Sequence, residues 1–152
     1  MRRARELGLA YPQYASVLTG SGRDVVAFLF TAEGLRLKLA KRLEMPGDVK
    51  TKLGSLIGVD RLVMAPEGEA PDAFQRELED VSGIPFRAGA ATLGEYASWG
   101  TSRRHILDIL RPLKLPADAV VMVGTREVEL KWANAAKLAK YLPVEDYFPD
   151  QP

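Results

Sequence analysis

Residues 93–132, LGEYASWGTSRRHILDILRPLKLPADAVVMVGTREVELKW, constrain the fold more than any other stretch of this chain. Leu93, Tyr96 and Ala97 have the spacing of a short helix packed on one face. Gly100 permits a sharp turn. Thr101 or Ser102 then caps a second helix by accepting a free backbone N–H. In that helix Ile106, Leu110 and Leu113 form a buried stripe, and Pro112 and Pro116 stop it from running on. Arg103, Arg104 and His105 stand at its start, where a DNA-reading helix-turn-helix presents its side chains.

A hairpin is expected to follow. Residues 120–123 are β-branched and apolar, and Gly124-Thr125 is a Gly-X pair of the type II′ kind. Val128, Leu130 and Trp132 alternate with Glu127, Glu129 and Lys131, the period of a strand with one face buried. A two-residue turn would pair Val121 with Val128 and Ala119 with Leu130. Helix, turn, helix and hairpin together make a winged helix.

The first half of the chain repeats the pattern. Val49, Leu53 and Leu56 match Ile106, Leu110 and Leu113 at an offset of 57 residues, and the strand at 60–64 matches 118–122 at 58. An Asp-led helix opens each unit, at Asp24 and at Asp72, and each ends at a glycine. A period near 57 is too long for common solenoids and close to the size of a small domain. The expected fold is therefore mainly α with small β-hairpins (α+β): a tandem winged helix-turn-helix with an added C-terminal helix. Its parts are an N-terminal arm at 1–22, one winged helix at 23–70, a second at 71–133, and a C-terminal helix and tail at 134–152. Residues 25–30 read as a buried helix, with a strand as the alternative that their Val and Phe residues permit. One parallel sheet running through 25–30, 62–64 and 120–123 is incompatible with the tandem reading.

At TLGEYASWGTSRRHILDIL the chain resembles the C-terminal winged-helix repeats of the bacterial selenocysteine-specific elongation factor. Leu93, Glu95, Tyr96, Gly100, Thr101, Ser102, Arg103 and Arg104 carry the likeness, close over about 40 residues and loose over about 110. It implies a winged-helix module that binds a messenger-RNA hairpin. The chain departs from that pattern in having a turn one residue shorter, in Asp-Ile-Leu-Arg-Pro in the helix, and in the helix expected after the wing.

Charge is unevenly spread, as a binding face requires. Residues 36–52 carry six basic and two acidic side chains, and residues 103–114 four basic and one acidic. Residues 66–82 carry one basic and six acidic. The net charge of +1 makes no case for nucleic acid on its own. The local clusters do, and the expected nucleic-acid-binding residues are Lys50, Thr51, Lys52, Ser102, Arg103, Arg104, His105 and Arg111, with DNA or structured RNA as partner. Glu127 and Glu129 on the wing would repel phosphate, which leaves a protein–protein assembly module as the competing class, using the acidic 66–82 segment or the C-terminal helix. His105 has no neighbouring ligands and reads as a surface or capping residue. Trp99 and Trp132 read as core or interface anchors.

Two enzyme readings are weighed against these. Asp118, Glu129 and Lys131 have the D…ExK spacing of a metal-dependent nuclease, and in the hairpin register they share one face. Alternatively, VVMVG resembles the fourth-motif strand of a degenerate phosphatase of the haloacid dehalogenase type. That resemblance implies aspartates where Thr31-Ala-Glu33 and Thr125…Glu129 stand. The expectation is a non-enzymatic chain with no cofactor and no metal. Without cysteine there are no disulfides or thiolate zinc sites. The longest apolar run, 25–30, is far short of the roughly 20 residues of a membrane span, and Arg2, Arg3 and Arg5 do not open a signal peptide. A cytoplasmic location is expected. Gly20 and Gly22 lack the Gly-Lys-Ser/Thr of a phosphate-binding loop.

Overall fold

A computed structural model describes residues 2–39 and 43–149. Its centre is a parallel five-stranded sheet of β1 (Ala27–Thr31), β4 (Asp60–Ala65), β5 (Ala88–Ala91), β6 (Val120–Gly124) and β7 (Lys140–Pro143). Between β1 and β4 lies a two-stranded antiparallel hairpin, β2 (Lys38–Leu39) with β3 (Leu43–Glu44). The large sheet has the order β5-β4-β1-β6-β7, with every neighbour parallel. In the register, Phe28 stands opposite Arg61 on one side and Val121 on the other. The tandem winged-helix expectation is thereby overturned: strands from 23–70 and from 71–133 are neighbours in one α/β sheet.

The cause of the misreading lies in how buried strands look. A strand covered on both faces has no polar side to alternate, so it reads as an unbroken apolar run. All five residues of β1 and all five of β6 are buried. Phe28, Phe30, Val63, Ala65, Val121 and Val123 point to one face, into a core shared with α2 (Tyr11–Ser21), α3 (Gly47–Ser55) and α4 (Pro71–Ser82). Ala27, Leu29, Leu62, Met64, Val120 and Met122 point to the other, against α5 (Trp99–Leu110) and α6 (Glu127–Ala135). The order is that of a doubly wound fold. Crossovers through α3 and α4 build the sheet outward on one face, those through α5 and α6 on the other, and the direction reverses between β1 and β6.

Several elements stand where the sequence places them. The strand at 60–64, the helix over 72–83 and the helix carrying Ile106 and Leu110 are present. Gly83 ends α4 in a left-handed conformation at φ 70°. Others are corrected. The expected hairpin after β6 is the helix α6. Its buried residues Glu129, Trp132 and Ala133, with Ala136 beyond, follow an i, i+3, i+4, i+7 helical stripe. The expected helix after Trp132 stops at Ala135, and residues 140–143 form the edge strand β7. Residues 92–98 are not helical, Gly100 lies inside α5 rather than in a turn before it, Tyr96 is 93% exposed, and Ser98 rather than Thr101 or Ser102 caps α5, accepting from the Thr101 amide at 3.1 Å. Residues 1–22 contain α1 (Arg2–Glu6) and α2, which bury Ala4, Leu7, Leu9, Tyr14 and Val17. The helix α7 (Val144–Tyr147) closes against the same face: Tyr147 is fully buried, its ring centroid lies 4.9 Å from that of Phe28 with the planes tilted by 39°, and its hydroxyl donates to Leu7 O.

Candidate functional site

In a doubly wound fold the crevice outside the carboxyl ends of the strands, where the winding reverses, is where ligands bind. Here that point lies between β1 and β6. Thr31 ends β1, 5% exposed, and its Oγ1 accepts from the Gly34 amide at 2.9 Å, folding the chain back into a short 3-10 turn. Gly34 lies flat on β6; a Cβ there would press on the carbonyl of Val123. The turn carries Glu33, whose Oε2 accepts from Thr125 Oγ1 at 3.1 Å. The ends of β1 and β6 are thus tied by a side-chain hydrogen bond across the switch point.

Beyond β6 the chain turns directly into α6. Glu129 is 1% exposed, yet its carboxylate is fully partnered. It accepts from the Thr125 amide at 2.8 Å, the Arg126 amide at 3.1 Å and Arg126 Nε at 3.1 Å. The favourable end of the helix dipole and these donors offset the cost of burying the charge. Gly124 leaves room for it, since a Cβ there would meet the carboxylate. Tyr141 donates to Arg126 O at 3.1 Å; burial first, and the Glu129 carboxylate next, push its phenol above the ordinary value and keep it a donor. The Arg126 guanidinium lies 5.6 Å from the Trp132 ring centroid. Over this edge opens a cavity of about 210 Å³, lined by Thr31, Glu33, Met64, Glu67, Leu93, Glu95, Arg126 and Glu129 among others.

The residues expected to contact nucleic acid are not brought together. Lys50, Thr51 and Lys52 lie on α3, on one face of the sheet; Ser102, Arg103, Arg104 and His105 lie on α5, and Arg111 just after it, on the other. Several are also engaged internally. Lys52 donates to Tyr147 O, with its Nζ 3.9 Å from that ring's centroid. Ser102 is buried and donates to Ser98 O at 2.8 Å; Arg103 donates to Ala135 O at 3.1 Å; His105 Nε2 lies 2.6 Å from Ala91 O. Arg104 is exposed and Arg111 lies 4.0 Å from Asp108. Lys41 and Arg42 lie outside the described residues.

The nuclease constellation is dispersed as well. Asp118 precedes β6 and pairs with Arg23 at 3.0 Å, Glu129 lies past the other end of that strand, roughly 16 Å away at about 3.3 Å per residue, and Lys131 donates to Ala97 O. Among the described residues no three His, Cys, Asp or Glu side chains are grouped to hold a metal ion. In the acidic segment, Glu77 accepts from the Leu43 amide and Glu79 from the Phe86 amide, so two of its carboxylates serve the fold.

Thr31, Glu33, Thr125 and Glu129, by contrast, do converge. Arg126 escaped notice in the sequence, and Glu67 and Glu95 were noticed only as part of an acidic segment and of the winged-helix likeness. Their one signal for this site is position, each a few residues past the end of a strand, and it becomes readable only once β4, β5 and β6 are known to run parallel in one sheet. Comparison with family models, with curated proteins and with solved structures finds no match. No helix among the described residues is long and apolar enough to cross a membrane.

Proposed function

We propose that this chain is a degenerate domain of the haloacid dehalogenase type that binds a small molecule at the carboxyl edge of its sheet and performs no phosphoryl transfer. The observation that carries this reading is the hydrogen bond between Thr125 and Glu33, which joins the ends of two adjacent parallel strands at the switch point. These are the positions at which that resemblance implies aspartates. The likeness is one of strand order and residue position, and the chemistry follows from the residues actually present.

Those residues do not support turnover. A hydroxyl becomes a nucleophile when a base takes its proton. Thr31 Oγ1 accepts from Gly34 and donates to no carboxylate among the described residues. Thr125 spends its proton on Glu33. Glu129, the one buried carboxylate among the described residues, is held by two backbone amides and Arg126, so it is not available as a cation ligand or a base. A divalent cation does not fit this donor set of two neutral hydroxyls, one exposed carboxylate and one engaged carboxylate. What remains is a concave, mixed polar and apolar site on a rigid sheet, the form of a binding site.

The test is hydrolysis of p-nitrophenyl phosphate with magnesium present. Wild-type protein should show no turnover above a heat-denatured control. Turnover that Thr31→Val abolishes would overturn the reading.

A further inference from the structure

The polar groups around the cavity define the kind of molecule it accepts. Arg126 donates through Nε to Glu129 and lies over the Trp132 ring, and its two terminal nitrogens make no hydrogen bond among the described residues. A guanidinium held this way presents a planar pair of donors matched to a carboxylate. Facing the same space are Glu33, which accepts a single bond from Thr125, and Glu67 and Glu95, which have no hydrogen bond or ion pair among the described residues. The lining therefore carries four carboxylates to one guanidinium, which disfavours a phosphate dianion and favours a ligand of net positive charge.

The spread of those carboxylates decides between cations. They line one cavity without forming a group that could hold a metal ion. Negative charges distributed around a rim fit separate ammonium groups on one ligand better than a single compact ion. Between them the wall is apolar, with Met64, Ala65, Pro66 and Leu93 placed to pack on methylene groups. The volume of about 210 Å³ lies below the usual range for drug-sized ligands, so the ligand is small.

Building on the binding reading above, we infer that the cavity takes a dibasic amino acid. Its carboxylate sits on Arg126 and its two amino groups on the carboxylates of Glu33, Glu67 and Glu95. The probes are L-lysine, 1,5-diaminopentane, which lacks the carboxylate, and glutarate, which lacks both amines, each titrated calorimetrically into the full chain. L-lysine should bind saturably and about tenfold tighter than 1,5-diaminopentane, the worth of one charged hydrogen-bonded contact, and glutarate should give no heat. Arg126→Gln should bring L-lysine down to the diamine's level. Because Arg126 also helps hold Glu129, the doubly substituted Glu67→Gln/Glu95→Gln protein, altered only at exposed positions, supplies an independent arm: its circular dichroism should be unchanged and its L-lysine affinity about tenfold or more weaker. Equal binding of lysine and diamine, binding of glutarate, or no binding of lysine would each overturn the assignment. Absent lysine binding without phosphatase turnover removes this ligand and leaves the non-catalytic reading intact; turnover removes the reading itself.

Discussion

Lys52 illustrates what a single position conceals. In sequence it is one of a run of basic residues; in the fold its ammonium lies against Tyr147 and Phe148, donating to the Tyr147 carbonyl. Burial lowers its pKa from 10.5 to about 8. The sign follows from which state holds the proton. Between pH 8 and 10.5 the unfolded chain binds it and the folded chain has released it, so stability rises with pH across that window. Urea denaturation of wild type and Lys52→Met at pH 7.5 and pH 10 isolates the effect. Wild type should gain about 1 kcal/mol on the variant at the higher pH, well short of the full shift because solvent still reaches the amine. An unchanged difference would show that the folded state does not penalise its charge. Glu129 shows the converse concealment. Period-based reading assigns charged residues to solvent, and only the pairing with Arg126 and two amides, invisible in the sequence, makes a core glutamate tolerable.

At the scale of elements, legibility followed the surroundings of each segment. Helices with one wet face, α3, α4 and α5, announced themselves through Val49 and Leu53, Phe74 and Leu78, Ile106 and Leu110. Of the central strands, β4 and β6 were legible as strands but not as partners in one sheet, and β1 read as a helix, since burial on both faces erases the period. In α6 the core-facing Glu129 broke the helical stripe and left Val128, Leu130 and Trp132 to mimic a strand, while Gly124-Thr125 mimicked a hairpin turn. The sequence likeness of the two halves does not mark two domains, and no helix opens at Asp24, which precedes β1. The matched stretches fall on α3 with β4 and on α5 with β6, two crossovers of one sheet, each with a helix stripe followed by a buried strand. That Glu129 organises the start of α6 has a measurable consequence. Glu129→Gln removes the ion pair to Arg126 and turns an amide toward backbone N–H groups, and should cost about 3 kcal/mol in urea denaturation. A loss under about 0.5 kcal/mol would mean that the carboxylate does not cap the helix.

For the whole molecule, the candidate site depends on where the winding reverses. Four of the candidate-site positions, Thr31, Glu33, Thr125 and Glu129, were singled out in the sequence because they lie just beyond two apolar runs. The other walls, Glu67, Glu95 and Arg126, come from strand ends whose adjacency is a property of the sheet order alone. The same order places α3 and α5 on opposite layers, which is why basic residues clustered in sequence do not form one surface. Every part of the site thus rests on β1 lying parallel between β4 and β6. Nuclear Overhauser contacts on uniformly labelled protein test this directly. Cross-strand contacts from Phe28 to both Arg61 and Val121 are expected from the register. Antiparallel contacts between Val121 and Val128, with none from Phe28 to either strand, would contradict the sheet and the crevice built on it.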